Sequence, residues 1–79
     1  MHKKVLLENI DRIHTTEMGV GRIQRNLEIS EDPVSYCILK LKKEDSKVAK
    51  EGKNYYIDVD DCIITVNSSS FTIITAHKK

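Results

Sequence analysis

Tryptophan is absent from this chain, phenylalanine and proline occur once each, glycine three times and cysteine twice. With three tyrosines as the only other aromatics, the core has to be aliphatic. At 79 residues a chain buries roughly 60–65% of the surface its unfolded form exposes, so that core is thin. The two cysteines, Cys37 and Cys62, stand 25 positions apart with no Cys-x-x-Cys and no histidines at ligand spacing. This excludes a disulfide framework and argues against a metal site; two buried, reduced thiols are expected. No apolar run approaches the roughly 20 residues of a membrane span. After Met1-His2-Lys3-Lys4, Glu8, Asp11 and Arg12 interrupt any signal-like stretch. The expectation is a cytoplasmic chain with no membrane contact. An excess of either charge is also missing. Thirteen basic against twelve acidic side chains leave +1, whereas nucleic-acid binders are usually strongly basic.

What is present is a change of period along the chain. In residues 3–13, Leu6, Ile10 and Ile13 share a helical face with Val5 and Leu7 beside it, while Glu8, Asp11 and Arg12 fall opposite. His14-Thr15-Thr16 interrupts, and either threonine can cap a second helix over about 16–27, carried by Val20, Ile23 and Leu27. Gly19 and Gly21 weaken that helix by roughly 1 kcal/mol each relative to alanine and mark a close approach of backbone to a strand or a ligand. Asp32-Pro33 is a helix start with cap and first-position proline, and Val34, Cys37, Ile38 and Leu41 continue the stripe to about Lys43. From Ser46 on, the period is two. Residues 47–49 read as a short edge strand, 54–59 and 62–67 as strands joined through Asp60-Asp61, and 71–77 as a last strand after Ser68-Ser69-Ser70. Short connections imply an antiparallel meander. The fold class is therefore α+β: one small domain over residues 1–79, with two to three N-terminal helices on one face of a C-terminal sheet of three to four strands. Strict alternation places Phe71, Ile73, Thr75 and His77 on one side of the last strand and Thr72, Ile74 and Ala76 on the other. Both sides carry apolar residues, so the pattern leaves open which face the helices cover.

Two stretches, HTTEMGVGRIQRNL (residues 14–27) and TVNSSSFTIITAHK, with GKNYYIDVD between them, resemble a family of short bacterial proteins known as a domain of unknown function. The likeness runs from about Ile13 to Lys78. More distantly, helices ahead of an antiparallel sheet, and a final Thr-Ile-Ile-Thr-Ala-His strand, are similar in style to the small ribonucleases of the barnase, EndoU, colicin and RelE type. That resemblance implies toxin-like chemistry on RNA at the exposed sheet face, although near-neutral charge departs from the basic character of RelE-like toxins.

Two function classes follow. A metal-independent endoribonuclease needs a base for the 2′-hydroxyl, an acid for the leaving oxygen and cations for the phosphate. His14 and His77 are assigned as that pair, since histidine holds both protonation states near neutrality. Arg22 is placed as the phosphate clamp, Lys50 as a second cation, and Tyr56, Asn67 and Thr75 as substrate-orienting groups. The plain alternatives are a link residue for His14, a solvated tail residue for His77, a surface cation for Arg22 and a turn former for Asn67. The second class is a non-catalytic interaction or regulatory module, antitoxin-like, that binds a protein partner or forms a homodimer through the sheet. No cofactor is expected, because Gly19 and Gly21 lack the preceding strand of a dinucleotide fingerprint. Convergence of His14, Arg22 and His77 on one point separates the classes.

Overall fold

A computed structural model describes residues 2–79. The first helix, α1 (His2–Glu8), stops earlier than its apolar pattern, because Asn9 leaves helical geometry and turns its amide back to donate to the Val5 carbonyl. A short 3-10 turn (Ile10–Arg12) completes the stretch and leads into extended backbone at Ile13. Helix α2 (Glu17–Leu27) starts on Thr16, whose hydroxyl accepts the Gly19 N–H, and ends with Glu28 in the left-handed region at φ 58°. Helix α3 (Pro33–Leu41) starts as the sequence predicts, with the Asp32 carboxylate accepting from the Ser35 N–H.

Strands β1 (Lys47–Glu51), β2 (Asn54–Val59), β3 (Cys62–Asn67) and β4 (Ile73–Lys78) follow in an antiparallel meander of order β1-β2-β3-β4. Gly52, at φ 59°, opens the two-residue turn between β1 and β2, a conformation that favours glycine. Helix α1 packs on β1, α2 on β4 and α3 on β2. The covered face is that of Tyr55, Ile57 and Val59, paired with Val66, Ile64 and Cys62. With Leu6, Ile13, Ile23, Leu27, Cys37, Leu41, Phe71, Ile73 and Ala76 they form one aliphatic-rich core. Both cysteines are buried and free, and burial pushes the Cys37 thiol up to about 12. No helix among the described residues is long and apolar enough to cross a membrane.

Strict alternation fails in β4. Thr65 pairs with Thr75, but the next residue, Val66, pairs with Ile73, so a bulge at Ile74 inserts one residue. Ile73 and Ala76 both reach the core, while Thr75 and His77 take the opposite face. The expectation that Ile73 shares a side with Thr75 and His77 is corrected by that one extra residue.

The turn between β2 and β3 is tied to α3. Asp60, left-handed at φ 53°, pairs with Lys40 and, at 2.9 Å, with Lys43. Hydrogen bonds from those two lysines hold its carboxyl below the ordinary 3.8. A depressed folded value means that the unfolded chain binds more protons just below pH 4. The stabilisation is therefore whole above that range and is lost as pH falls through the lowered value. In acid titrations followed by circular dichroism, Asp60→Asn should flatten the acid limb of the stability curve relative to wild type.

The two helical glycines also separate. A Cβ on Gly21 meets nothing within 4 Å, whereas one on Gly19 comes to 2.3 Å from the Thr15 hydroxyl and 3.1 Å from that of Thr16. The close approach at Gly19 is thus to its own helix start. Gly21→Ala should raise stability by up to about 1 kcal/mol from helix propensity alone, and Gly19→Ala should lower it; urea denaturation of the two variants measures both signs.

Candidate functional site on the open sheet face

One face of the sheet carries helices and the other carries none. Register arranges the uncovered face in rows. Ala49, Tyr56, Thr65 and Thr75 form the central row, and Lys47, Asp58, Ile63 and His77 form the row toward one end. Glu51, Asn54 and Asn67 form the row toward the other end. Thr65 is only 6% exposed although no helix covers it, so its row neighbours shield it. Asp58 pairs with Lys79. No pocket forms among the described residues.

The third row extends past β4. Residue 14 pairs with Thr72 in a parallel bridge: the His14 N–H donates to the Phe71 carbonyl at 3.2 Å and the Ile73 N–H donates to the His14 carbonyl at 2.7 Å. The Thr15 hydroxyl adds a bond to the Ile73 carbonyl at 2.9 Å. The His14 ring is held from both sides. Its Nδ1 lies 2.8 Å from the Arg12 carbonyl, which can only accept, so Nδ1 carries a proton and, in the neutral ring, Nε2 offers a lone pair. Thr72 Oγ1, 3.1 Å away, donates into that lone pair, and Ser70 Oγ stands 2.8 Å behind Thr72. Asn67 anchors the far end, its Oδ1 accepting the Ser69 and Ser70 N–H groups at 2.9 Å each. Arg12 closes the corner, its guanidinium 4.6 Å from the centre of the Phe71 ring. Phe71 is left-handed at φ 58°, a strained choice for an aromatic residue, held by its buried ring and the bonds on either side.

Five of the seven residues singled out from sequence therefore share the open face: His14, Tyr56, Asn67, Thr75 and His77. The two histidines stand at opposite ends of it. His77 pairs with Ile63 and Thr72 lies across from Asn67; four strand residues at about 3.3 Å each separate the two rows by about 13 Å. Two groups serving one phosphodiester have to lie within a bridging water of a common atom, and His14 and His77 do not. Arg22 is on the exposed side of α2, beyond the covered face. Lys50 pairs with Tyr55 and so belongs to the helix side of β1. Neither cation joins the histidines.

Arg12, Ser70 and Thr72 escaped the sequence reading. Thr72 is 58 positions from His14, and no local spacing announces such a pairing. The available signal was β-branched: Ile13, Thr15 and Thr16 flank His14 as a strand would, although the segment reads as a mere helix break.

Removing the Asn67 amide leaves two N–H groups of the serine turn without a partner. Asn67→Ala should destabilise by about 1 kcal/mol, while Asn67→Asp, which keeps an acceptor, should retain most of that stability. Urea midpoints at constant m-value decide it.

Comparison with known proteins gives one positive finding. No curated protein and no solved structure matches the chain. A family model described as "Protein of unknown function (DUF3781)" matches residues 7–77, from the end of α1 to the end of β4, and the chain belongs to that family.

Proposed function

We propose that the protein binds single-stranded RNA across the open face of its sheet, as a non-catalytic module. The observation that carries this is a helix-backed, four-stranded antiparallel sheet left bare on one side, with Tyr56 in its central row. Size favours RNA over a protein partner. Four strands about 4.8 Å apart and some 20 Å long give a face of roughly 400 Å². A stable protein interface takes about 800 Å² from each partner, whereas a base stacked on one exposed ring needs only a fraction of that area. Tyr56 offers the stacking surface, sequence-tolerant because every base has a π face. Thr75, Asn67 and Asn54 supply donors and acceptors to base edges, and His14 and His77 flank the strip at its two ends. With a net charge of only +1, few phosphates are neutralised, so binding is modest and shallow in its salt dependence.

Cleavage is a second reading, favoured by one feature: the fixed tautomer of His14 aims Nε2 at a hydroxyl, the arrangement a base needs toward a ribose 2′-OH. It makes His14 the sole base and gives His77 no part in the reaction.

Fluorescence polarisation with labelled RNA oligomers tests the proposal. Tyr56→Ala should weaken binding by about 1–3 kcal/mol, some 5- to 160-fold, while Arg22→Ala and Lys50→Ala, off the face, leave it unchanged. The RNA should remain full length on a gel. Shortening that disappears in His14→Ala moves the reading to catalysis, and no binding to any RNA moves it to a protein partner.

A further inference from the structure

We infer that the outer edge of β1 is a self-pairing surface, on which a second copy of this chain docks antiparallel about Ala49. The inference does not depend on the RNA reading.

Strand geometry fixes which backbone groups are available. The turn at Gly52-Lys53 closes on the pair Glu51–Asn54, and that at Asp60-Asp61 on Val59–Cys62. Pairs flanking two-residue turns are hydrogen-bonded, and the bonded pairs recur every second residue. Lys47, Ala49 and Glu51 thus spend their N–H and C=O groups on β2, and Val48 and Lys50 point theirs outward. Among the described residues no hydrogen bond reaches those outward groups. The segment is exposed except for Val48, which is half-buried.

An exposed edge is normally guarded by charge, and here the charges are arranged to admit one register. A two-fold axis at Ala49 sets Val48 opposite Lys50 of the second copy, which lets both exchange N–H···O bonds. It brings Ala49 against its own equivalent, where small side chains suit a closely spaced pair. It also places Lys47 opposite Glu51 at both ends, on the open face. A shift of two residues one way opposes Lys50 to Lys50. The other way it opposes Lys47 to Ala49 and leaves both charges without partners. Within the chain neither Lys47 nor Glu51 makes an ion pair among the described residues, although Asp58 and Glu28 do. The interface is one short strand, well under the standard interface size, so the association is weak and reversible.

Charge exchange across the pair tests this in a chain whose exposed substitutions leave the core untouched. Sedimentation equilibrium of wild type should show dimer growing with concentration up to about 1 mM. Lys47→Glu alone and Glu51→Lys alone should each weaken self-association roughly tenfold or more, because like charges then face each other twice. Mixed together, the two variants should associate with wild-type strength, since every opposed pair is again of opposite sign. Circular dichroism confirms that each remains folded. A wild type that stays monomeric throughout the range, or a mixture no stronger than its components, overturns the inference.

Discussion

The structure depends on a clamp of three hydrogen bonds, all within two residues of His14. The His14 N–H and C=O bind the backbone of Phe71 and Ile73, and the Thr15 hydroxyl binds Ile73 again. Without these bonds the helices and the sheet meet only through side chains. With them, the link between the 3-10 turn and α2 is fixed to the first residues of β4 across 58 positions of sequence. Several oddities follow. Phe71 takes a left-handed φ at a cost on the order of 1 kcal/mol or more, because its carbonyl has to face His14 while its ring enters the core. The bulge at Ile74 then restores the phase, so that Ala76 returns to the covered face after Ile73 has been spent on it. Gly19 belongs to the same constraint: Thr15, held by its bond to Ile73, occupies the space a Cβ would need.

This clamp explains what the sequence disclosed and what it did not. Helix α3 is legible because Asp32-Pro33 is a local signal with a local cause. The meander is legible because period two and short polar turns need no distant information. The end of α1 at Glu8 is less so, since Asn9 competes for the Val5 carbonyl through its own side chain. The bulge is invisible in principle: strict alternation is the default, and only the fixed partner of Ile73 breaks it. Among site residues, the shared side of Thr75 and His77 follows from strand parity, whereas bringing Tyr56 and Asn67 onto that same face depends on the register between strands. Lys50 falls on the helix side because it pairs with Tyr55, a register that the two-residue turn at Gly52-Lys53 sets. Arg22 is singled out by its chemistry alone, and chemistry does not say where a helix puts a side chain.

Neutral charge and a bare sheet face belong together. A face carrying several lysines would bind any polyanion, and its specificity would rest on little beyond Coulomb attraction. Here Asp58 is matched by Lys79 at one end, and the centre is occupied by hydroxyls and one ring. The surface is therefore suited to contacts that depend on shape and hydrogen-bond placement. His14 sharpens this, because its ring is oriented by a carbonyl on one nitrogen and a hydroxyl on the other. Such a ring presents one fixed face, unlike a histidine held by solvent alone.

The two edges of the sheet are handled by different physics. At β4 the chain covers the start of its own edge, with the bridge at His14 taking the hydrogen bonds that another strand would compete for. At β1 the Lys3 ammonium of α1 bonds the Ser46 carbonyl just before the strand, but no backbone takes the outward groups of Val48 and Lys50 among the described residues, and protection falls to side chains. Lysines alone would repel any incoming strand. Glu51, placed symmetrically to Lys47 about the middle residue Ala49, changes that protection from a barrier into a filter. It removes the repulsion in one antiparallel register and keeps it where lysine would meet lysine. A five-residue strand then discriminates by sign at its ends what its backbone, common to all strands, cannot discriminate at its centre.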